Sequence, residues 1–283
     1  MATPTGEWVP YGGDLGALPR EPHDRYDRYG AYAPVAQAQG DGLVPSTPPP
    51  EPPDVASTPI SDLVIVVAAG GGVGRSTTAD LLARRLCATG PLVLIDDAPG
   101  LFSLRRTLVR GPDGLALLPG YGGEYHVLAP NGPLARVDTA SVVANADPGW
   151  TTLVVDSYDS VLILLHAEHW FRLLTEPGVR VLLVTPSATG PLQQAITAAR
   201  ALRQAGVAPE DLVAAVVDIS EGRLPRPVRA RMVMLDGEVG AITRVPHLPS
   251  VRAMGRLEAG HGGRDAERAA DALVRRLALE YAA

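Results

Sequence analysis

A glycine-rich turn set between a buried strand and a helix constrains this chain more than any other feature. Leu63-Val64-Ile65-Val66-Val67 is an unbroken apolar, mostly β-branched run, the pattern of a strand buried on both faces of a parallel sheet. Ala69-Gly70-Gly71-Gly72-Val73-Gly74-Arg75-Ser76-Thr77 follows at once. Residues 77–89 then read as a helix, with Leu81, Leu82 and Leu86 apolar and Gly90 past its end. Such a turn lets successive backbone N–H groups converge, and the positive end of the helix adds to the pull on an anion. Gly71, Gly72, Val73, Gly74, Arg75, Ser76 and Thr77 are therefore candidate phosphate binders, and the Ser76 hydroxyl is a candidate ligand for the Mg²⁺ that accompanies the β- and γ-phosphates. The general pattern G-x-x-x-x-G-K-[ST] is not met, because Ala69 stands for its first glycine and Arg75 for its lysine. The alternative is a glycine-rich strand-to-helix turn with no ligand.

Apolar runs recur at residues 92–95, 125–128, 152–155, 179–184 and 212–217. Helical patterns are expected at 138–145, 160–174, 191–204, 251–257 and 264–281. This alternation predicts an α/β fold, a doubly wound and mainly parallel sheet with helices on both faces.

The first 60 residues differ in kind. They hold 12 of the 27 prolines and few Ile, Leu or Val, too little apolar surface to offset the entropy of ordering them. Residues 1–60 are expected to form a disordered, Pro-rich, acidic tail, and residues 61–283 the folded domain. The tail carries a net charge of −5 out of −6 for the whole chain, so the domain is close to neutral, which argues against a strongly basic nucleic-acid module. All 25 basic residues are arginine, and a GC-rich coding bias accounts for that. The lone Cys87 excludes an intrachain disulfide framework and suits a reducing compartment and a buried structural thiol. With no secretory pattern and no long apolar run, a cytoplasmic protein is expected.

Residues 70–77 resemble the deviant Walker A box of the ParA/MinD ATPases, Lys-Gly-Gly-x-Gly-Lys-[Ser/Thr]-Thr. Leu94-Ile95-Asp96-Asp97-Ala98-Pro99-Gly100-Leu101 is similar to the family's second-strand box, hydrophobics followed by Asp-x-Asp-x-Gly-Leu. Leu153-Val154-Val155-Asp156-Ser157 looks like its Walker B strand, and Ile242-Thr243-Arg244-Val245-Pro246-His247 like its late strand and base-side loop. The resemblance implies a P-loop fold over about residues 61–283, binding of ATP or ADP with Mg²⁺ held by Ser76, Asp96 and Asp156, and a base contact at Asp218, where the family often has Asn. For Asp156 alone, a strand-end carboxylate capping the next loop is an equal alternative.

Three positions depart from the family. Gly70 stands where its signature lysine reaches a partner's nucleotide, Arg75 replaces the phosphate-binding lysine, and Ala98 replaces the aspartate that orients the attacking water. Phosphoryl transfer depends on positioned positive charge and an oriented nucleophile, and a wide guanidinium fork is no compact ammonium. No residue is assigned a catalytic role, and little or no ATPase activity is expected. The expectation is a nucleotide-binding or pseudo-ATPase scaffold in the positioning, partition, conjugation or secretion of a partner complex, engaged through the tail or the sheet-flanking surfaces. One alternative is an active partitioning ATPase cycling through a nucleotide-sandwich homodimer. Another is a nucleotide-free interaction module, if Arg75 fills the phosphate pocket.

Weaker signals favour plain readings. Arg223, Arg226, Arg229, Arg231, Arg244, Arg252 and Arg256 outnumber Glu221, Asp236 and Glu238 between residues 221 and 256, and a solvated arginine surface is preferred over nonspecific DNA binding. The last helix, with Leu273, Val274, Leu277 and Leu279, is read as packed and not membrane-bound, because acids are interspersed along it. His166 and His169 supply too few ligands for a metal site. In the tail, Pro48-Pro49-Pro50-Glu51-Pro52-Pro53 favours polyproline II, and Tyr11, Tyr26, Tyr29 and Tyr32 punctuate a polar stretch. Pro-rich tails before ParA-like domains also occur in proteins of type VII secretion loci, a resemblance of architecture.

Overall fold

The computed structural model describes residues 62–109, 113–147, 149–248 and 263–279. The expected tail, with its prolines and tyrosines, lies outside the described residues. So do the expected helix at 251–257, with Arg252 and Arg256, and residues 280–283.

In chain order the elements are β1 (Asp62–Ala68), α1 (Arg75–Leu86), β2 (Leu92–Asp96), β3 (Leu115–Pro119), β4 (Glu124–Leu128), α2 (Thr139–Ala144), β5 (Thr152–Ser160) and α3 (Val161–His166). They continue with α4 (Glu168–Thr175), β6 (Arg180–Pro186), α5 (Thr189–Ala205), β7 (Leu212–Val217), α6 (Arg226–Asp236), β8 (Ala241–Val245) and α7 (Gly263–Arg276). The strands form one sheet in the order β3-β4-β2-β5-β1-β6-β7-β8. Every neighbouring pair is parallel except β3 with β4.

Alternation along β1 builds the two cores. Val64 and Val66 pack with Leu81, Leu82 and Leu86 of α1 and with Leu273 and Val274 of α7. Ile65 and Val67 face the other side, with Leu164 of α3, Trp170 of α4, Ile196 of α5 and Leu235 of α6. Helices thus cover both faces, as a sheet of near-continuous apolar strands requires. The apolar residues of α7 are buried, and Leu277 and Leu279 after it are buried too, so this helix is a packed one. Cys87 caps α1, buried, with its thiol donating to the Arg84 carbonyl at 3.2 Å; burial pushes that thiol up from its ordinary pKa.

Several boundaries differ from the sequence pattern. Helix α1 starts at Arg75 and stops at Leu86, and Thr89 closes a turn by donating from both N–H and hydroxyl to the Leu86 carbonyl. The span 160–174 is two helices: Ser160 ends β5, and Ala167, in extended backbone, separates α3 from α4. Each piece buries its own apolar pair, Val161 with Leu164 and Trp170 with Leu174. The break puts His166 and His169 on different helices, and His166 Nδ1 lies 2.6 Å from the Leu162 carbonyl oxygen. Strand β3 and helix α6 are additions; β3 is a short edge strand ending in proline, and α6 buries only Val228 and Leu235.

Register is what creates the site. Asp156 is aligned with Val66 on one side and with Asp96 on the other, so two carboxylates stand side by side where the pairing of β2 with β5 ends, Asp96 as the last residue of β2 and Asp156 midway along the longer β5. The carboxyl edge of an open parallel sheet is where ligands bind. The loop after β2 is held there by a close backbone approach: a Cβ on Gly100 would lie 1.8 Å from the Gly132 carbonyl oxygen, and the Gly100 N–H donates to the Ala135 carbonyl at 2.9 Å. Gly100→Ala is expected to force the two loops apart and lower stability by about 1–3 kcal/mol, the usual cost of overpacking. Urea denaturation measures it, and an unchanged midpoint contradicts this account of the glycine.

Candidate nucleotide site

The turn after β1 has the backbone form that the sequence suggested. Gly72 (φ 68°) and Gly74 (φ 84°) are in the left-handed region that favours glycine. Gly74 is the N-cap of α1 with no side chain capping it, so the helix's first N–H groups and its positive end face the turn. Thr78 ties the first turn down, its N–H and its hydroxyl both donating to the Gly74 carbonyl at 2.9 Å.

A cleft of about 410 Å³ opens beside this turn, lined by Gly72, Val73, Gly74 and Thr77 of the turn and α1 and by Val217, Asp218 and His247 among others. That volume suits a small-molecule ligand. Asp218 N–H donates to the Val245 carbonyl at 2.8 Å, and Arg244 pairs with its Oδ2 at 2.5 Å. Asp218 Oδ1 and both ring nitrogens of His247 are buried with no hydrogen-bond partner among the described residues. Buried polar atoms left this way are costly unless something satisfies them, and these line the cleft.

The other side of the turn is filled by charge. Arg75, the first residue of α1, is not among the cleft-lining residues. Its Nε donates to Asp156 Oδ1 at 3.0 Å and its Nη1 to the Tyr158 carbonyl at 2.8 Å. Arg105, from the loop after β2, donates to Asp156 Oδ2 at 2.7 Å, to Asp80 Oδ1 at 3.0 and 3.1 Å and to the Ser76 carbonyl at 3.0 Å, and lies 3.5 Å from Asp96 Oδ2. Its side chain is 5% exposed, and those of Asp96 and Asp156 are 3% and 2% exposed. Burial opposes the Arg105 charge, but Asp80, Asp156 and Asp96 together more than offset it and hold the guanidinium protonated well above its ordinary range. Burial pushes the Asp96 and Asp80 carboxyls up, against the pull of Arg105, and the charge of Asp156 adds to the rise. Asp96 also accepts from Ser103 Oγ at 2.7 Å and from the Ala98 N–H at 3.1 Å.

A second group lies alongside. Asp97, buried, accepts from Arg136, from Thr139 Oγ1 at 3.0 Å and from the Tyr158 N–H at 3.2 Å, while Arg136 also pairs with Asp159 at 2.7 Å. Among the described residues no group of three or more His, Cys, Asp or Glu has the arrangement of a metal site.

No protein-family model matches the chain, and no curated protein matches it in sequence. Solved structures do match. The MinD cell division protein of Aquifex aeolicus is 18% identical, with a TM-score of 0.51 over 77% of this chain and 97% of that one. The septum site-determining protein MinD of Pyrococcus horikoshii, complexed with Mg-ADP, is 16% identical, with a TM-score of 0.50 over 76% and 94% of the two chains. The fold is that of the MinD/ParA P-loop ATPases. At these identities the likeness concerns the fold.

On this MinD/ParA-like frame the structure places Gly71 to Thr77 in the turn and first helical turn, Asp96 and Asp156 side by side in register, and Asp218 among the residues lining the cleft. Ala98 is buried, and a side chain at Gly70 meets nothing nearer than Gln194 Oε1 at 3.8 Å, so crowding does not explain the glycine. Sequence reasoning missed Arg105, whose only signal was a basic residue a few positions after an Asp-rich strand end. Ser103 anchors that residue's loop, since its hydroxyl also accepts the Arg106 N–H at 2.9 Å. Ser103→Ala leaves a buried carboxylate short of a donor and is expected to lower stability by about 1–3 kcal/mol. A melting temperature equal to the parent's contradicts the anchoring role.

Proposed function

We propose that this chain is a nucleotide-binding scaffold on a MinD/ParA-like fold that does not hydrolyse what it binds, and that it acts in positioning, partition, conjugation or secretion of a partner complex. The observation that carries the reading is the split character of the site. The turn, the N-terminus of α1 and the cleft with Asp218 and His247 keep the means to hold a phosphorylated nucleoside, while the groups around Asp156 are committed to arginines. Gly70 and Ala98 leave no lysine to cross to a partner and no second aspartate to orient water. Binding through backbone N–H groups survives such losses; phosphoryl transfer does not.

The nucleotide-free alternative required Arg75 in the phosphate pocket, and the pairing of Arg75 with Asp156 and the Tyr158 carbonyl favours the nucleotide-binding reading over it. Partner contact through the tail or the sheet-flanking helices, and a homodimer, belong to the same proposal. Nonspecific DNA binding is the less favoured reading, because Arg244 is paired with Asp218 and the domain is close to neutral. Among the described residues no helix is long and apolar enough to cross a membrane.

Calorimetry with ADP and ATP tests the proposal. Saturable binding is expected, weakened at least about tenfold by His247→Ala or Asp218→Ala, the scale of one lost hydrogen bond to a charged or buried group, with no release of phosphate over hours. Absence of binding by any nucleotide overturns the scaffold's nucleotide role, and steady turnover overturns the loss of catalysis.

A further inference from the structure

The resemblance to ParA/MinD proteins implies a Mg²⁺ ion bound by Ser76, Asp96 and Asp156, and this chain's own residues do not fit one. Mg²⁺ requires near-octahedral oxygen ligands and gives up its waters reluctantly. Here both oxygens of Asp156 accept from guanidinium groups, Oδ1 from Arg75 at 3.0 Å and Oδ2 from Arg105 at 2.7 Å. Asp96 is turned to Ser103 and Ala98, with Arg105 at 3.5 Å. The Ser76 carbonyl, on the residue whose hydroxyl would meet the metal, accepts from Arg105 Nη2. A divalent ion placed among these oxygens meets two fixed positive charges in a buried setting, where repulsion is least screened. Removing the arginines to admit it strips three carboxylates of their buried partner, and breaking a buried pair is strongly destabilising.

We propose that the Arg105 guanidinium is a built-in substitute for the divalent cation, so that this site takes its nucleotide without Mg²⁺. The inference rests on the nucleotide reading above for its ligand, although the replacement of the metal stands on the geometry alone. Arg105 joins β2 through Asp96, β5 through Asp156 and α1 through Asp80 and the Ser76 carbonyl. It thereby ties the loop after β2 to the phosphate turn with a charge that belongs to the chain and cannot dissociate. Arg75 completes the exchange from the other side, drawn to Asp156 and not to the cleft. The loop's position is therefore set by the fold itself, and the nucleotide enters a site whose inner wall is already closed.

The test has two parts, both on the full chain. In the first, Mn²⁺ alone is titrated and followed by electron paramagnetic resonance, with wild type, Arg105→Ala and Asp156→Asn compared. No binding is expected for wild type at millimolar Mn²⁺, and new binding is expected for Arg105→Ala, in which Asp80, Asp96 and Asp156 lose their cation; a purely structural arginine gives no such gain. Mn²⁺ binding by wild type that is lost in Asp156→Asn overturns the proposal, and this arm needs no folded Arg105 variant. Folded Arg105→Ala that binds no Mn²⁺ also counts against it.

In the second part, ADP affinity is measured in Mg²⁺ and in EDTA. Equal affinity, within about twofold, is expected for wild type, whereas Arg105→Ala is expected to bind at least about tenfold tighter with Mg²⁺, the scale of a charge-assisted contact. Wild-type binding that requires Mg²⁺ overturns the metal-free site and leaves the nucleotide reading intact. No binding in either condition overturns the nucleotide reading, and the Mn²⁺ titration then decides the replacement of the metal by Arg105.

Discussion

Asp156 held between two arginines is the interaction on which the rest of this site depends. Its carboxylate stands midway along β5, in register with Asp96, the last residue of β2, and with Val66 of β1, and it is 2% exposed. A carboxylate so placed is stabilised by a cation, because leaving a buried charge without its partner is strongly destabilising. Arg75 and Arg105 supply it from two directions. Their convergence fixes the first turn of α1 and the loop after β2 against the carboxyl edge of the sheet, where the ligand cleft begins.

The cluster is not neutral by simple pairing. Asp80, Asp96 and Asp156 face two guanidinium groups, and burial with mutual repulsion raises the Asp80 and Asp96 carboxyls while Arg105 stays protonated. Replacing such a network by apolar residues is often no worse for stability, so its value here lies in position: it brings three secondary-structure elements to one point. The chemistry is divided accordingly. Backbone N–H groups and the cleft of Asp218 and His247 face a ligand, whereas the carboxylates that would serve a metal face inward to arginine.

Most of the fold was legible in the sequence because its strands are buried on both sides. Runs such as Leu63 to Val67 and Leu212 to Val217 have the length and continuity of strands buried on both faces, and the glycine turn after the first marks the start of the helix that follows. What escaped was governed by tertiary context. Strand β3 is an edge strand whose alternation is weak and which ends in Pro119; α6 buries two residues; and Ala167, with neither glycine nor proline beside it, interrupts a helical pattern because α3 and α4 pack separate apolar pairs. At the site, the motif marks the turn and the strand residues beside it, but it could not show where a side chain would turn. Arg75 reads as a poor lysine in the sequence and is an ion pair to Asp156 in the fold. Arg105 lies outside every box, and only the path of residues 97–109, pinned by Gly100 against Gly132, carries it to the acids.

A crystal structure grown with ADP and Mn²⁺, with anomalous data collected for manganese, tests the central claim most directly. The account predicts Arg105 hydrogen-bonded to Asp156, Asp80 and the Ser76 carbonyl, and no anomalous peak among Ser76, Asp96 and Asp156. A manganese peak within coordination distance of Asp156, with Arg105 displaced, contradicts it.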